Sequence, residues 1–379
     1  MIIKEKVAQA IGILKEFNID CWVTFVRESS IIGDPTLDFL IDSDVTWHSA
    51  FIITPKGDTW AIVGKYDTQA IADLGVYGTV IPHVTGLSEP FHKVLKQINP
   101  SKIAVNYSKD SEISDGLTHG MYLTLVDLLS AIGMQDRLIS AEPVISALRQ
   151  RKTATELAHI NDAIRATLEI YDEAFKFIKP GKTEAEVAAY IRSRIDARKL
   201  GYAWDPSTCP SVFSGPDTAE AHYAPTERRV QEGHILNMDF GVKSNEYCSD
   251  LQRTVYILRK GETKAPPEVQ KGFDTIVKSI EESRKAMKPG VLGKDIDGII
   301  PQGPGRQWIP GVSPRLGSPG RTVCPRWNRP VGSGLGEVRN EAIPASGKGH
   351  GLHTGAPPDC SGPGHCHGGR DGRRHRSWR

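Results

Sequence analysis

Apolar positions in the first part of the chain alternate between two spacings. In MIIKEKVAQAIGILKEF they recur at the interval of a helix face, which predicts a helix over about Val7–Phe17. Short apolar runs follow. Cys21–Val26 reads as a strand, and Ser49–Gly64 reads as two strands around a Pro55-Lys56-Gly57-Asp58 turn. Asp67–Leu74 returns to helical spacing, Lys102–Ser108 is a further strand, and Tyr122–Ile132 is again helical. Strands interleaved with helices predict an α/β domain over residues 1–140. It shows no glycine loop able to cradle a phosphate and no nucleophile elbow, so it reads as a structural or oligomerising unit.

A different pattern begins near Ser146. Leu148–Ile178 is amphipathic throughout and predicts one long helical region. Pro180-Gly181 interrupts it, and Thr183-Glu-Ala-Glu186 forms a capping box for the next helix. Strand-like segments run from about Ser211 to Leu258. The stretch Lys288–Ile299 then echoes Lys179 onward: Lys-Pro-Gly, a spacer, an acidic residue and an apolar helix start. This weak internal repeat suggests a domain, over residues 146–300, built of two related halves.

Within that domain Ile235–Leu258 reads as a hairpin: ILNMDFG, a VKSNE turn, and YCSDLQRTVYIL as one second strand. Asp239 stands between Met238 and Phe240, an apolar setting that is costly for an unpaired carboxylate. Asp250 lies on the neighbouring strand. Two carboxylates brought together repel unless a cation or a shared proton compensates, and hard divalent cations take oxygen ligands of this kind. In the competing reading, Asp239 caps a turn and Asp250 is a surface residue.

Composition changes near residue 300. Gly and Pro number 34 in residues 1–300 and 28 in residues 301–379, about three times the density. Enrichment of that kind without a repeat period points to disorder. Arg and Lys number 13 and 22 before the break but 11 and 1 after it, and the formal charge changes from −6 to +8. The overall +2 therefore averages two unlike segments. The basic tail lacks regular RGG repeats and interleaved aromatics, which argues against nucleic acid as a partner. No apolar stretch is long enough for a membrane span and the start of the chain has no signal-peptide core, so a cytoplasmic location is expected. Cys21, Cys209 and Cys248 are far apart, with no CxxC spacing, and read as buried free thiols.

The Asp239–Asp250 hairpin, with Arg253 and Thr254 following the Ser249-Asp250 pair, resembles the pita-bread metallopeptidases: methionine aminopeptidase, Xaa-Pro aminopeptidase and Xaa-Pro dipeptidase. The N-terminal α/β domain resembles that of the Xaa-Pro and creatinase branches. The resemblance covers roughly residues 1–300. It implies an α/β creatinase-like domain followed by an α+β pita-bread domain, and removal of N-terminal residues from peptides, with proline beside the cleaved bond. It also implies two divalent metal ions (Mn, Co or Zn), a peptide substrate and a homodimer. Asp239 and Asp250 match the family's first two metal ligands, and His222 matches the upstream His that acts on the substrate or transition state. His234, in the turn before the strand, is a weaker match.

The remaining three ligands, His, Glu and Glu, have no counterpart in residues 301–379, so the catalytic domain is expected to be incomplete and the tail irregular. One explanation is a shifted reading frame after about Ile300. Dropping one base lets Arg306–Gly320, RQWIPGVSPRLGSPG, encode DNGYPEFPHALGHQ, and Thr322–Arg339 encode LSAHDGTGLLGPAWERYG. The missing His codon then spans Ser318–Pro319, and the two Glu codons span Gly355–Ala356 and Gly369–Arg370. Two other functions compete with an impaired peptidase. A non-catalytic pita-bread binding protein should keep an intact core. A creatinase-type metal-free hydrolase has no reason to pair Asp239 with Asp250.

Overall fold

The computed structural model describes residues 2–216 and 224–299. The chain opens with helix α1 (Ile2–Glu16), strand β1 (Cys21–Val26), the short α2 (Leu37–Leu40), β2 (Ser49–Ile53), β3 (Thr59–Gly64) and α3 (Thr68–Asp73). It continues through β4 (Thr79–His83), α4 (Ser88–Ile98), β5 (Ile103–Val105), α5 (His119–Ser130) and β6 (Leu138–Ser140). The six strands form one sheet in the order β4-β3-β2-β1-β5-β6. The pairs β1–β2 and β2–β3 are antiparallel, and β3–β4, β1–β5 and β5–β6 are parallel.

Helices cover both faces of this sheet. Trp22, Phe51, Ile53 and Val63 pack toward α1, whereas Val23, Phe25, Ile52 and Ile62 pack toward α4 and α5. Strands β1, β2 and β3 are buried at every position, which is why they read as mostly apolar runs rather than alternating ones.

The chain then enters α6 (Glu142–Gln150), α7 (Ala154–Phe177) and α8 (Glu184–Ala197). The single helical region expected over Leu148–Ile178 is thus two helices. The break falls at Thr153, whose extended backbone and side chain cap α7: the Glu156 amide donates to Thr153 Oγ1 at 3.2 Å, and the Thr153 amide donates to Glu156 Oε2 at 2.7 Å. Amphipathic spacing persists across such a cap, so periodicity alone hides it.

Next come β7 (Gly201–Tyr202), β8 (Ser211–Ser214), β9 (Ile235–Phe240), β10 (Val242–Ser244), β11 (Tyr247–Cys248) and β12 (Leu251–Tyr256), followed by α9 (Pro267–Ala286) and α10 (Gly293–Asp297). Two three-stranded sheets result, in the orders β12-β9-β8 and β11-β10-β7. Helices α7 and α8 close their apolar face through Ile170, Tyr171, Val187 and Ile191 against Leu236, Met238, Phe240 and Val255. The two Lys-Pro-Gly segments adopt related turns. Gly181 and Gly290 have φ of +93° and +89°, a region that glycine enters without a Cβ clash, and α8 and α10 each begin three residues later.

Lys6 lies on the buried stripe of α1 among Ile3, Val7, Ala10 and Ile13. Its ammonium is fully enclosed. It donates to Glu156 Oε2 at 3.0 Å and to the carbonyl of Leu148. Tyr247 of β11 donates to the other Glu156 oxygen at 3.2 Å. One carboxylate therefore caps α7, neutralises a buried lysine of α1 and holds the strand leading to Asp250. Removing one partner of a buried ion pair typically costs about 3–5 kcal/mol. Glu156→Ala is expected to lower stability by about that much, read as the midpoint of urea unfolding; a shift equivalent to less than about 1 kcal/mol would show that the Lys6 ion pair contributes no more than a surface one.

Candidate metal centre

Strand β9 alternates. Leu236, Met238 and Phe240 are buried in the core, and Asn237 and Asp239 project from the other face. Across the ladder, Gln252 of β12 opposes Asp239 and Thr254 opposes Asn237. The Gln252 amide donates to Asn237 Oδ1 at 3.0 Å and the Asn237 amide donates to Thr254 Oγ1 at 2.7 Å, so this face is a hydrogen-bonded polar strip. Asp239 is a strand residue within that strip and does not cap a turn.

The second strand of the hairpin, expected to be continuous from Tyr247 to Leu258, is interrupted at Ser249-Asp250. Tyr247–Cys248 pairs with β10 in one sheet and Leu251–Tyr256 pairs with β9 in the other. Steric room explains the interruption. A Cβ on Gly241 would sit 1.8 Å from the carbonyl oxygen of Ser249, so only glycine allows the strands to cross this closely. Pairing runs Phe240↔Leu251 before the bend and Lys243↔Cys248 after it, so the register is unbroken and sets Gly241 opposite Asp250. Asp239 and Asp250 are then diagonal neighbours on one face, within reach of each other.

The electrostatics of the pair are unfavourable as it stands. Asp239 is half-buried, and its Oδ1 is buried with no hydrogen-bond partner. Burial, then the Asp250 charge, then a hydrogen bond with Asp250 push the Asp239 carboxyl up to about 8. All three influences act upward and none is a cation. Burial also raises Asp250, although one side of that residue is open to solvent. An orphaned buried oxygen beside a second carboxylate, reachable from solvent, is a donor set that a hard divalent cation fits. Among the described residues, no group of three or more His, Cys, Asp or Glu side chains gathers in one place, so Asp239 and Asp250 are joined by no third such ligand there.

The other residues singled out from the sequence fall as follows. His222 lies outside the described residues. His234 sits in the turn before β9, with its ring against Gly215 at the strand end remote from Asp239. Thr254 belongs to the polar strip, whereas the Arg253 guanidinium lies 5.6 Å from the ring centre of Tyr171, over the opposite face. Cys21, Cys209 and Cys248 are free and buried. Sequence reasoning passed over Gly241, Thr167 and Tyr171. Gly241 follows directly on the strand bearing Asp239, but its role depends on how close the partner strand comes.

Residues 158–353 match metallopeptidase family M24, and the chain belongs to that family. It is 30% identical over 193 residues to an uncharacterised peptidase of Staphylococcus saprophyticus, covering 50% of this chain and 53% of that protein. It is 33% identical over 225 residues to a Mycoplasma genitalium protein provisionally named an Xaa-Pro aminopeptidase, covering 58% of this chain and 59% of that one. The chain thus spans a little over half the length of these curated relatives. Among solved structures it is similar to an Xaa-Pro dipeptidase from Bacillus anthracis (TM-score 0.57, 18% identity, 79% of this chain and 76% of that one). It is also similar to an X-Pro aminopeptidase from Thermotoga maritima (TM-score 0.53, 21% identity, 78% and 75%). These likenesses bear on the fold, which is the expected creatinase-like α/β unit joined to a pita-bread unit. No described helix is long and apolar enough to cross a membrane.

The raised Asp239 carboxyl sets the sign of a pH effect. Its proton is held more tightly in the folded protein than at the ordinary carboxylate value of about 3.9. Its contribution is therefore most favourable below about pH 4 and is lost as pH rises toward about 8. With chelator present, the wild type is expected to lose stability relative to Asp239→Asn between pH 5 and pH 8.5, measured by thermal unfolding; parallel curves for the two proteins would refute the shift.

Proposed function

We propose that Asp239 and Asp250 are two of the five ligands of a dinuclear metal site, in a protein of the Xaa-Pro peptidase type. The observation that carries this reading is the buried, partnerless Oδ1 of Asp239 beside the Asp250 carboxylate. Membership of a metallopeptidase family and the Xaa-Pro name of the Mycoplasma genitalium relative support it. When bound, divalent ions supply Lewis-acid and water-activating chemistry. The chain's own contribution is to present two carboxylates on one face of a stiff, bent hairpin, with a polar strip beside them for a peptide. His222 is assigned to substrate or transition-state contact, and Mn, Co or Zn to the metal.

The same reading makes this polypeptide nearly inactive. Two carboxylates hold one divalent ion weakly and do not hold a dinuclear centre, and in residues 301–379 His-Gly occurs only within the Gly- and Pro-rich stretches at His350-Gly351 and His367-Gly368, with no Glu-Pro to complete it. The shifted-frame hypothesis accounts for that gap: the tail encodes the missing His and two Glu ligands one base out of register. A binding protein without catalysis is the second reading, and the disorder-like tail composition weighs against it.

The full chain, incubated with Mn²⁺ or Co²⁺ and an Xaa-Pro peptide, is expected to release no free N-terminal residue above background. A version continued in the shifted frame from about residue 300 is expected to cleave the peptide, and Asp239→Asn in that version to return it to background. Metal-stimulated cleavage by the chain as it stands would overturn the inactivity. A gene with a single clean frame and no homologous open frame beneath the tail would overturn the frame hypothesis.

A further inference from the structure

The carboxylates project from one face of the bent hairpin, and α7 grips its other face through two hydroxyl groups one helical turn apart. The Tyr171 hydroxyl lies 3.0 Å from the Met238 carbonyl and 2.7 Å from the Leu251 carbonyl, both as acceptors. These belong to the residue just before Asp239 and the residue just after Asp250. One phenol proton is therefore shared between the two strands, at the point where both carboxylates leave the backbone. Tyr171 is itself almost wholly buried, its ring 4.4 Å from that of Phe240, so it cannot swing away without opening the core.

Thr167, four residues earlier on the same helix face, reaches the bend. Thr167 Oγ1 and Ser249 Oγ are 2.6 Å apart, and Thr167 Oγ1 also donates to the Ala163 carbonyl at 2.9 Å. With its proton used there, Thr167 accepts from the Ser249 hydroxyl. Ser249 Oγ in turn accepts from the Val242 amide at 2.9 Å. The hydroxyl of Ser249 thus takes the place of a ladder partner at the bend, and every donor in the chain of contacts is used. Both Thr167 and Ser249 are buried. No other hydroxyls in the described residues bridge α7 to the backbone immediately flanking Asp239 and Asp250.

We infer that Thr167 and Tyr171 are positioning residues: through Ser249, Met238 and Leu251 they set the separation of the Asp239 and Asp250 carboxylates, and so the grip of this chain on a divalent ion. The inference rests on the metal-ligand reading above. It goes further in assigning the geometry of the pair to α7 rather than to the hairpin alone. Groups that orient metal ligands without touching the metal typically change affinity by about 10–100-fold when removed.

The test is Mn²⁺ binding to the full chain, followed by the electron paramagnetic resonance signal of free Mn²⁺. Asp239→Asn and Asp250→Asn serve as ligand controls. Thr167→Val and Tyr171→Phe are expected to weaken binding about tenfold, and Thr167→Ser, which restores the hydroxyl, to bind as the wild type does. Far-UV circular dichroism checks the fold of each. If Tyr171→Phe does not fold, the Thr167→Val and Thr167→Ser pair decides, because the two differ in the hydroxyl at one site. Loss of binding in the Asp variants with unchanged binding in folded Thr167→Val and Tyr171→Phe would overturn this inference and leave the ligand assignment standing. Equal binding by wild type and the Asp variants would overturn the ligand assignment, and this inference with it.

Discussion

The approach of the Ser249 backbone to Gly241 is the constraint around which the site half of this protein is built. With 1.8 Å between a would-be Cβ and the Ser249 carbonyl oxygen, no side chain fits at Gly241. The hairpin bends there instead of continuing flat, its halves join two different sheets, and the residues flanking the bend are the two carboxylates. A flat hairpin of the same register would still place Asp239 and Asp250 on one face. The bend adds a partly enclosed setting that strips water from Asp239 while leaving a side of Asp250 open. Desolvation and like charge then act in the same direction on Asp239, and a proton or a cation must relieve them.

Helix α7 connects that constraint to the rest of the molecule. At its first turn Glu156 closes the capping box, neutralises Lys6 from α1 and accepts from Tyr247. In its middle, Thr167 and Tyr171 hold the bend. A buried ion pair is weak evidence for stability in itself, because desolvation offsets much of the attraction. Here the pair joins α1 of the N-terminal unit to the first turn of α7, the helix whose middle contacts the bend.

Family membership and the composition of the tail pull in different directions. The chain belongs to family M24 and sets two carboxylates side by side, yet its last 79 residues are enriched in Gly, Pro and Arg. On the metal-site reading proposed above, a reading frame displaced near residue 300 would leave Asp239, Asp250 and their supports intact and remove the other three ligands together.

Much of the fold was legible because period and burial agree. Strands β1, β2 and β3 are largely apolar and buried at every position since helices cover both sheet faces, and the Thr183 capping box marked the start of α8. The Asp239–Asp250 pair was legible too, since a carboxylate between two core residues is conspicuous in any sequence. Local pattern did not reveal the break at Thr153, because the amphipathic spacing of α6 and α7 continues across it, nor the bend at Ser249-Asp250, because both halves of that strand are apolar enough to read as one. The sequence by itself determined which residues carry charge and which faces are apolar. Only the tertiary structure decided that Gly241 yields its space to Ser249, that a helix 67 to 82 residues upstream supplies the hydroxyls holding the bend, and that the buried Oδ1 of Asp239 is left without a partner. Contacts at that sequence separation depend on how elements pack, and no local periodicity encodes them.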